Sequence, residues 1–337
     1  MRRSAIWLLW LWVFLFLGLS PISAAAQGTG AEAILEKPQP TSEQPTGEKK
    51  EEAPTTCGPL ISDTCIPIEE QHASLQWIGA LSIYRAAFTP NWRQVSTKGD
   101  FYTFNMPVKL TYGPTKNLET YIVVPFIVDW CNNLDRSIAG PNGERSASYA
   151  GIGDIFTVAK YLVVEEGEIR PAVTLVGGVL WPSGHAHHLN PTFLGQDAVG
   201  TGSFQFTTGI NLYKWVKPIL FYSNIWLNSP VNMFKLRAVD TPQAVRNREN
   251  VTFNLAAEWP VSKQFVLLLE MYSTWTWSNF GTESIGFQSP TTLLGFFPGI
   301  EYIYSEKWTF TAGSAFDTIG KFGTAKITPA LSVYYNF

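Results

Sequence analysis

From residue 73 to the end of the chain, every second side chain is apolar over one stretch after another. A repeat of two belongs to the β-strand, in which successive side chains point to opposite faces. In Lys326 to Phe337, the residues Ile327, Leu331, Val333, Tyr335 and Phe337 share one face, and Lys326, Thr328, Ser332 and Asn336 share the other. Asn250 to Trp259 sets Val251, Phe253, Leu255, Ala257 and Trp259 against Thr252, Asn254 and Glu258, and Gln264 to Trp277 behaves in the same way. The pattern predicts twelve strands, near 73–86, 101–113, 118–130, 150–164, 169–181, 202–214, 218–228, 250–260, 264–277, 291–304, 307–317 and 326–337.

The connections decide how these strands are arranged. Short ones (Gly113 to Asn117, Glu165 to Glu168, Trp215 to Lys217, Val261 to Lys263, Ser305 to Glu306) alternate with mostly long polar ones: 89–100, 131–149, 182–201, 228–249, 278–290 and 318–325. An even strand number, with short turns at one rim and long loops at the other, predicts an all-β, antiparallel up-and-down transmembrane β-barrel of about 12 strands. A soluble two-sheet sandwich also alternates, but it needs charge on its outer face. Here only 15% of residues are charged, while 14% are aromatic. The aromatic residues gather at strand ends: Tyr102, Trp130, Trp181, Trp275 and Trp277 toward the long loops, and Tyr112, Trp259, Tyr304, Trp308 and Phe337 toward the short turns. Two such girdles belong at the two levels of lipid headgroups. With a formal charge of −3 and no basic run in the body of the chain, nucleic acid is not an expected partner.

The N-terminus has its own logic. Arg2 and Arg3, an apolar run from Ala5 to Leu19 and small residues at Ser23 to Ala26 make the three-part plan of a secretory signal peptide, residues 1–26. Residues 27–72 then read as a flexible periplasmic tether, since Gln27 to Thr56 is rich in Glu, Pro, Thr, Gly and Lys and too poor in apolar residues to fold alone. Within the tether, Cys57 and Cys65 flank a Gly-, Pro- and Ser-containing loop, and in an oxidising compartment the plain expectation is a disulfide between them. Cys131 is left unpaired.

If the apolar faces meet hydrocarbon, the opposite faces line the interior. The expected lumenal set is Lys109, Glu119, Asp129, Asp154, Lys160, Arg170, Tyr222, Trp226, Glu258, Glu270, Tyr272 and Glu301, with Asp317 and Lys326 beside them. Charges there need water or one another. Ion pairs knitting neighbouring strands are one expectation, and a polar passage with a weak cation preference is the other. Inward aromatic residues, Tyr84, Tyr121, Phe156, Tyr213, Phe297 and Tyr334 among them, either fill the lumen or offer ring faces to an apolar solute.

Two resemblances add to this. The chain ends on Phe337 with Tyr335, Val333 and Leu331 at alternate positions before it, which resembles the C-terminal signal that outer-membrane barrels present to their assembly machinery. Gly151 to Asp154, Lys160 with Tyr161, Trp181-Pro-Ser-Gly-His185, Leu189-Asn190-Pro191 and Gly200 to Ser203 resemble the outer-membrane barrels described as transporters of the phenol meta-degradation pathway. The resemblance follows segment order over most of 75–337 and implies a Gram-negative outer-membrane location, lipid as the surrounding partner, and passive movement of small, aromatic or apolar solutes. It implies no cofactor and no catalytic residues. An envelope anchor and a lipid-active enzyme are the competing expectations. For the enzyme, Ser183 lies near His185, His187 and His188, but these histidines lack the carboxylate or cysteine partners that a metal site needs and the strand-borne pattern of a barrel phospholipase.

Overall fold

The computed structural model describes residues 56–139, 143–186, 188–231, 249–277 and 290–337. The expected signal peptide, the tether up to residue 55, His187 and parts of two long loops lie outside these residues. Thirteen strands run in chain order: β1 Ala73–Phe88, β2 Gln94–Thr115, β3 Leu118–Asn132, β4 Ala147–Ile152, β5 Ile155–Val164, β6 Ala172–Trp181, β7 Phe204–Val216, β8 Ile219–Val231, β9 Asn250–Pro260, β10 Phe265–Thr276, β11 Thr291–Ile303, β12 Trp308–Lys321 and β13 Thr324–Asn336. Each pairs antiparallel with its neighbours, and β1 pairs with both β2 and β13, so the sheet closes on itself. Phe337 N–H donates to Ala73 O at 3.0 Å, fastening the last residue to the first of the barrel.

The wall has twelve positions because β4 and β5 share one. Residues Phe126 to Cys131 of β3 pair with β4, and Leu118 to Val123 pair with β5. The single strand expected over 150–164 is therefore interrupted at Gly153 and Asp154. Opposite the interruption stands Pro125, whose carbonyl accepts from Gly153 N–H at 2.9 Å and which has no N–H to return. Two expected long loops are also shorter than the alternation suggested. β2 begins at Gln94 and β12 runs to Lys321, so the β12–β13 connection is only two residues. These strands extend beyond the apolar belt, where both faces are wet and the period-two signal fades.

Along each strand the burial alternates with the sequence. On β10, Val266, Leu268 and Glu270 are buried, while Leu267 and Leu269 are 42% and 55% exposed on the outside. The same outward exposure holds for Leu110, Leu175, Ile210, Phe221, Ile300 and Leu331. A wall with leucine, isoleucine and phenylalanine outside and glutamate inside has its faces reversed for water and correct for a bilayer. Trp181 and Trp277 at the long-loop rim, and Trp259, Tyr304, Trp308 and Phe337 at the short-turn rim, are exposed as girdles require. Among the described residues no helix is long and apolar enough to cross a membrane.

Candidate functional site

The interior is occupied by the chain itself. Residues 56–68, expected as the end of a free tether, lie inside the barrel and fasten to its wall strand by strand, while residues 69–72 are exposed at the short-turn rim. Thr56 donates to Glu258 on β9 at 2.7 Å, and Glu258 also accepts from Tyr222 of β8 at 3.0 Å. Cys57 donates to Glu301 on β11 through both its backbone N–H, at 3.1 Å, and its thiol, at 2.9 Å. The consecutive N–H groups of Leu60, Ile61 and Ser62 converge on the Glu270 carboxylate of β10 at 2.6 to 3.1 Å. Successive amides aimed at one anion form a nest, and here the anion is supplied by the wall.

Asp63 reaches the other side. Its N–H donates to Asn224 Oδ1 of β8, and Asn224 Nδ2 donates back to Asp63 O at 2.9 Å, while Asn211 of β7 donates to its carboxylate at 3.0 Å. Lys160 of β5, with no exposed surface, lies 3.3 Å from Asp63 and 2.7 Å from Glu119 of β3; Lys109 of β2 approaches Asp63 at 3.5 Å. Burial alone would push the Asp63 carboxyl up, but the two lysines and the hydrogen bonds from Lys160 and Asn211 outweigh it and hold it below the usual carboxylate range. Further on, Thr174 of β6 donates to Cys65 O, Ile68 N–H donates to Glu119, and Gln71 N–H donates to Gly113 O of β2. The segment thus runs along the inner wall from β11 to β2 and passes into β1.

Most of the expected lumenal residues meet at this segment: Lys109, Glu119, Lys160, Tyr222, Glu258, Glu270 and Glu301. Their role differs from the expectation. Among the described residues, the one lumenal ion pair that knits two neighbouring strands is Lys160 with Glu119, directly opposite in register; Lys109, Glu258, Glu270 and Glu301 hold residues 56–63. Trp226 faces the lumen and donates to Asn211 Oδ1 at 2.8 Å. Tyr272 donates to Asp317 at 2.8 Å and Asp129 accepts from Thr103, both away from the segment. Arg170 does not line the lumen: it is exposed in the β5–β6 turn, where its carbonyl accepts from Gly167 N–H at 3.0 Å. The expected Cys57–Cys65 disulfide is not formed, because the wall holds the two side chains apart; Cys131 is buried and also free.

Sequence reasoning missed Asn211, Asn224, Thr174 and Asp63. The two asparagines carried a signal, since they are direct register partners on the inward faces of β7 and β8, where a filled apolar lumen would not place them. Asp63 carried none, because it lies in a stretch without periodicity.

A second feature sits at the β4–β5 interruption. Asp154 accepts from Gly184 N–H at 2.9 Å and Thr201 N–H at 2.7 Å, and also from the Thr201 hydroxyl. It thereby holds both ends of the β6–β7 loop. Gly184 and Gly200 pass so closely that a Cβ on either would lie 2.6 to 2.7 Å from the other's backbone, so only glycine fits there. Ser183 ties to the same place, donating to Gly153 O and accepting from Ile155 N–H. His185 Nδ1 contacts Asp197 O at 2.9 Å, and His188 is exposed. Among the described residues no group of three His, Cys, Asp or Glu is placed to hold a metal. Replacing Asp154 by Ala removes a charged acceptor from two backbone amides. Amide exchange at Gly184 and Thr201 is expected to rise by about tenfold or more while residues 57–68 are unchanged; equal rates would show that the loop is held by something else.

Beyond the segment, part of the inner wall is apolar. Tyr121, Val158 and Val176 form a buried cluster against which Val123, Phe156 and Trp226 pack from β3, β5 and β8.

No family model matches the sequence, and no curated protein matches it. Among solved structures, the chain is similar to an outer membrane channel from Pseudomonas putida F1, with 13% identity over 81% of this chain and 98% of that one and a TM-score of 0.61. The fold is shared. The translocator domain of the autotransporter NalP from Neisseria meningitidis (9% identity, 80% of this chain, 90% of that chain, TM-score 0.45) and a toluene transporter from Pseudomonas putida (9%, 79%, 89%, TM-score 0.36) lie further away.

Proposed function

We propose that this protein is a channel of the Gram-negative outer membrane that passes small apolar or aromatic solutes, with residues 56–68 as its internal plug. The observation that carries the reading is a closed, lipid-compatible barrel whose lumen, among the described residues, holds one chain segment attached mainly through polar contacts, with Cys65 alone packed in an apolar cluster of the wall. A structural anchor needs no lumenal charges and no removable filling. When the plug leaves, water takes over its hydrogen bonds to Glu258, Glu270, Glu301 and Lys160, so the wall tolerates both states.

The apolar cluster around Val123, Phe156 and Trp226 supports the choice of solute, since ring faces and branched side chains hold apolar molecules without directional demands. The outer membrane channel of the same fold is in keeping with the channel reading, and the resemblance to phenol-pathway barrels supports the choice of solute. Glu119, Glu258, Glu270 and Glu301 are engaged by the plug, so these four do not act as a cation filter while it is docked.

Uptake into liposomes tests the reading. With phenols, sugars and fatty acids offered in parallel, the protein is expected to speed entry of phenols or fatty acids over empty liposomes and to leave sugars unchanged. Equal uptake of all three would indicate a non-selective pore, and no uptake of any, by the full chain or by one lacking residues 56–68, would indicate an anchor.

A further inference from the structure

The two cysteines of the plug are held by well-separated parts of the wall. Cys57 Sγ donates to Glu301 of β11 and lies 3.6 Å from Thr311 of β12; Cys65 Sγ lies 3.2 Å from Thr174 of β6 and 3.3 Å from Asn211 O of β7. From β7 to β11 the wall advances four interstrand spacings, roughly 19 Å at about 4.8 Å each. A disulfide requires Cα atoms about 4.4 to 6.8 Å apart. The residues between them cannot take up the difference, because Leu60, Ile61 and Ser62 are fastened to β10 and Asp63 to β7 and β8. Docked contacts and a closed Cys57–Cys65 loop exclude each other.

We propose that Cys57 and Cys65 are a redox pair that sets the state of the plug: as two thiols they permit docking, and as a disulfide they forbid it. The oxidant is a disulfide-exchange partner such as oxidised glutathione or a protein disulfide. The Cys57 thiol gives up its proton and its sulfur attacks one oxidant sulfur, breaking that S–S bond and releasing one reduced thiol. The Cys65 sulfur, after losing its own proton, displaces the second. Two electrons and two protons leave the pair and reduce one oxidant disulfide to two thiols.

Docking in turn shields the thiols. Cys65 has no exposed surface and burial pushes its thiol up to about 11, while burial and the neighbouring Glu301 charge push Cys57 upward. The thiolate needed for attack is scarce in the docked state, so exchange runs through the undocked one. By linkage, whatever favours docking makes the pair harder to oxidise.

The full chain is unfolded in guanidinium, either oxidised with oxidised glutathione or kept in dithiothreitol, and refolded into detergent micelles, with peptide mapping to establish the Cys57–Cys65 bond. Amide exchange at residues 57–68 is expected to be slow in the reduced protein and about tenfold or more faster in the disulfide form. A Cys57→Ser, Cys65→Ser chain is expected to exchange alike after both treatments, whatever its absolute rate. Equal protection with and without the disulfide overturns the proposal, as does failure of the pair to bond in the unfolded chain or an equal response of the double serine variant. The readout involves no transport, so it is independent of whether the barrel is a channel.

Discussion

Deleting residues 56–68 is expected to open the barrel, raising single-channel conductance by on the order of tenfold while leaving the barrel folded. Twelve strands about 4.8 Å apart and tilted by about 40° close into a cylinder about 24 Å across between backbones. Inward side chains take about 5 Å from each wall, leaving about 14 Å, and an extended chain with its own side chains is about 10 Å wide. The plug therefore fills most of the cross-section, and its removal changes the pore far more than any wall substitution could. The barrel itself is closed by strand pairing that does not involve these residues. Planar-bilayer recording gives the conductance, and heat-modified migration in gels reports the fold. Deletion without a change in conductance would mean that the passage is blocked elsewhere, with the β6–β7 loop held by Asp154 as the obvious place to look.

How far the sequence could foresee this arrangement depends on which forces leave a periodic trace. A strand between lipid and lumen must alternate, so β9, β10 and β13 were readable almost to the residue. β4 and β5 were not separated, because Gly153 and Asp154 break the pairing without disturbing the apolar alternation around them. The inward charges were found because charge opposite lipid can only face a lumen. Their partners were not, since a plug is held by backbone N–H groups, as at Leu60, Ile61 and Ser62, and backbone amides are the same in every sequence. The Cys57–Cys65 disulfide failed for a related reason. Their spacing favours a local loop when the segment is free, and only the wall contacts of Glu301, Glu270 and Asn211 stretch it out.

Lys160→Met is expected to weaken docking more than any other single wall substitution. Lys160 is wholly buried between Asp63 of the plug and Glu119 of the wall, and it also donates to Thr64 O and Thr64 Oγ1 at 2.9 and 3.0 Å. Removing it leaves two buried carboxylates without their shared cation, a loss of about 3–5 kcal/mol, or roughly a hundred- to several-thousandfold in the ratio of docked to undocked plug. Undocking relieves the strain at once, because Asp63 leaves with the plug and Glu119 is left facing water. Amide exchange at residues 57–68 should accelerate accordingly, with conductance rising in parallel. Adding Asp63→Asn to Lys160→Met removes one of the stranded charges and should restore part of the protection, which a mere packing defect at position 160 would not show. Lys116 provides the contrast: it meets Glu165 at 2.8 Å, shorter than the Lys160–Asp63 contact, but on the exposed short-turn rim. Lys116→Met should leave both readouts unchanged, because water already screens that pair. If the two lysine variants behaved alike, the docking of the plug would have to be ascribed to Glu270 and its three amides rather than to the buried cation.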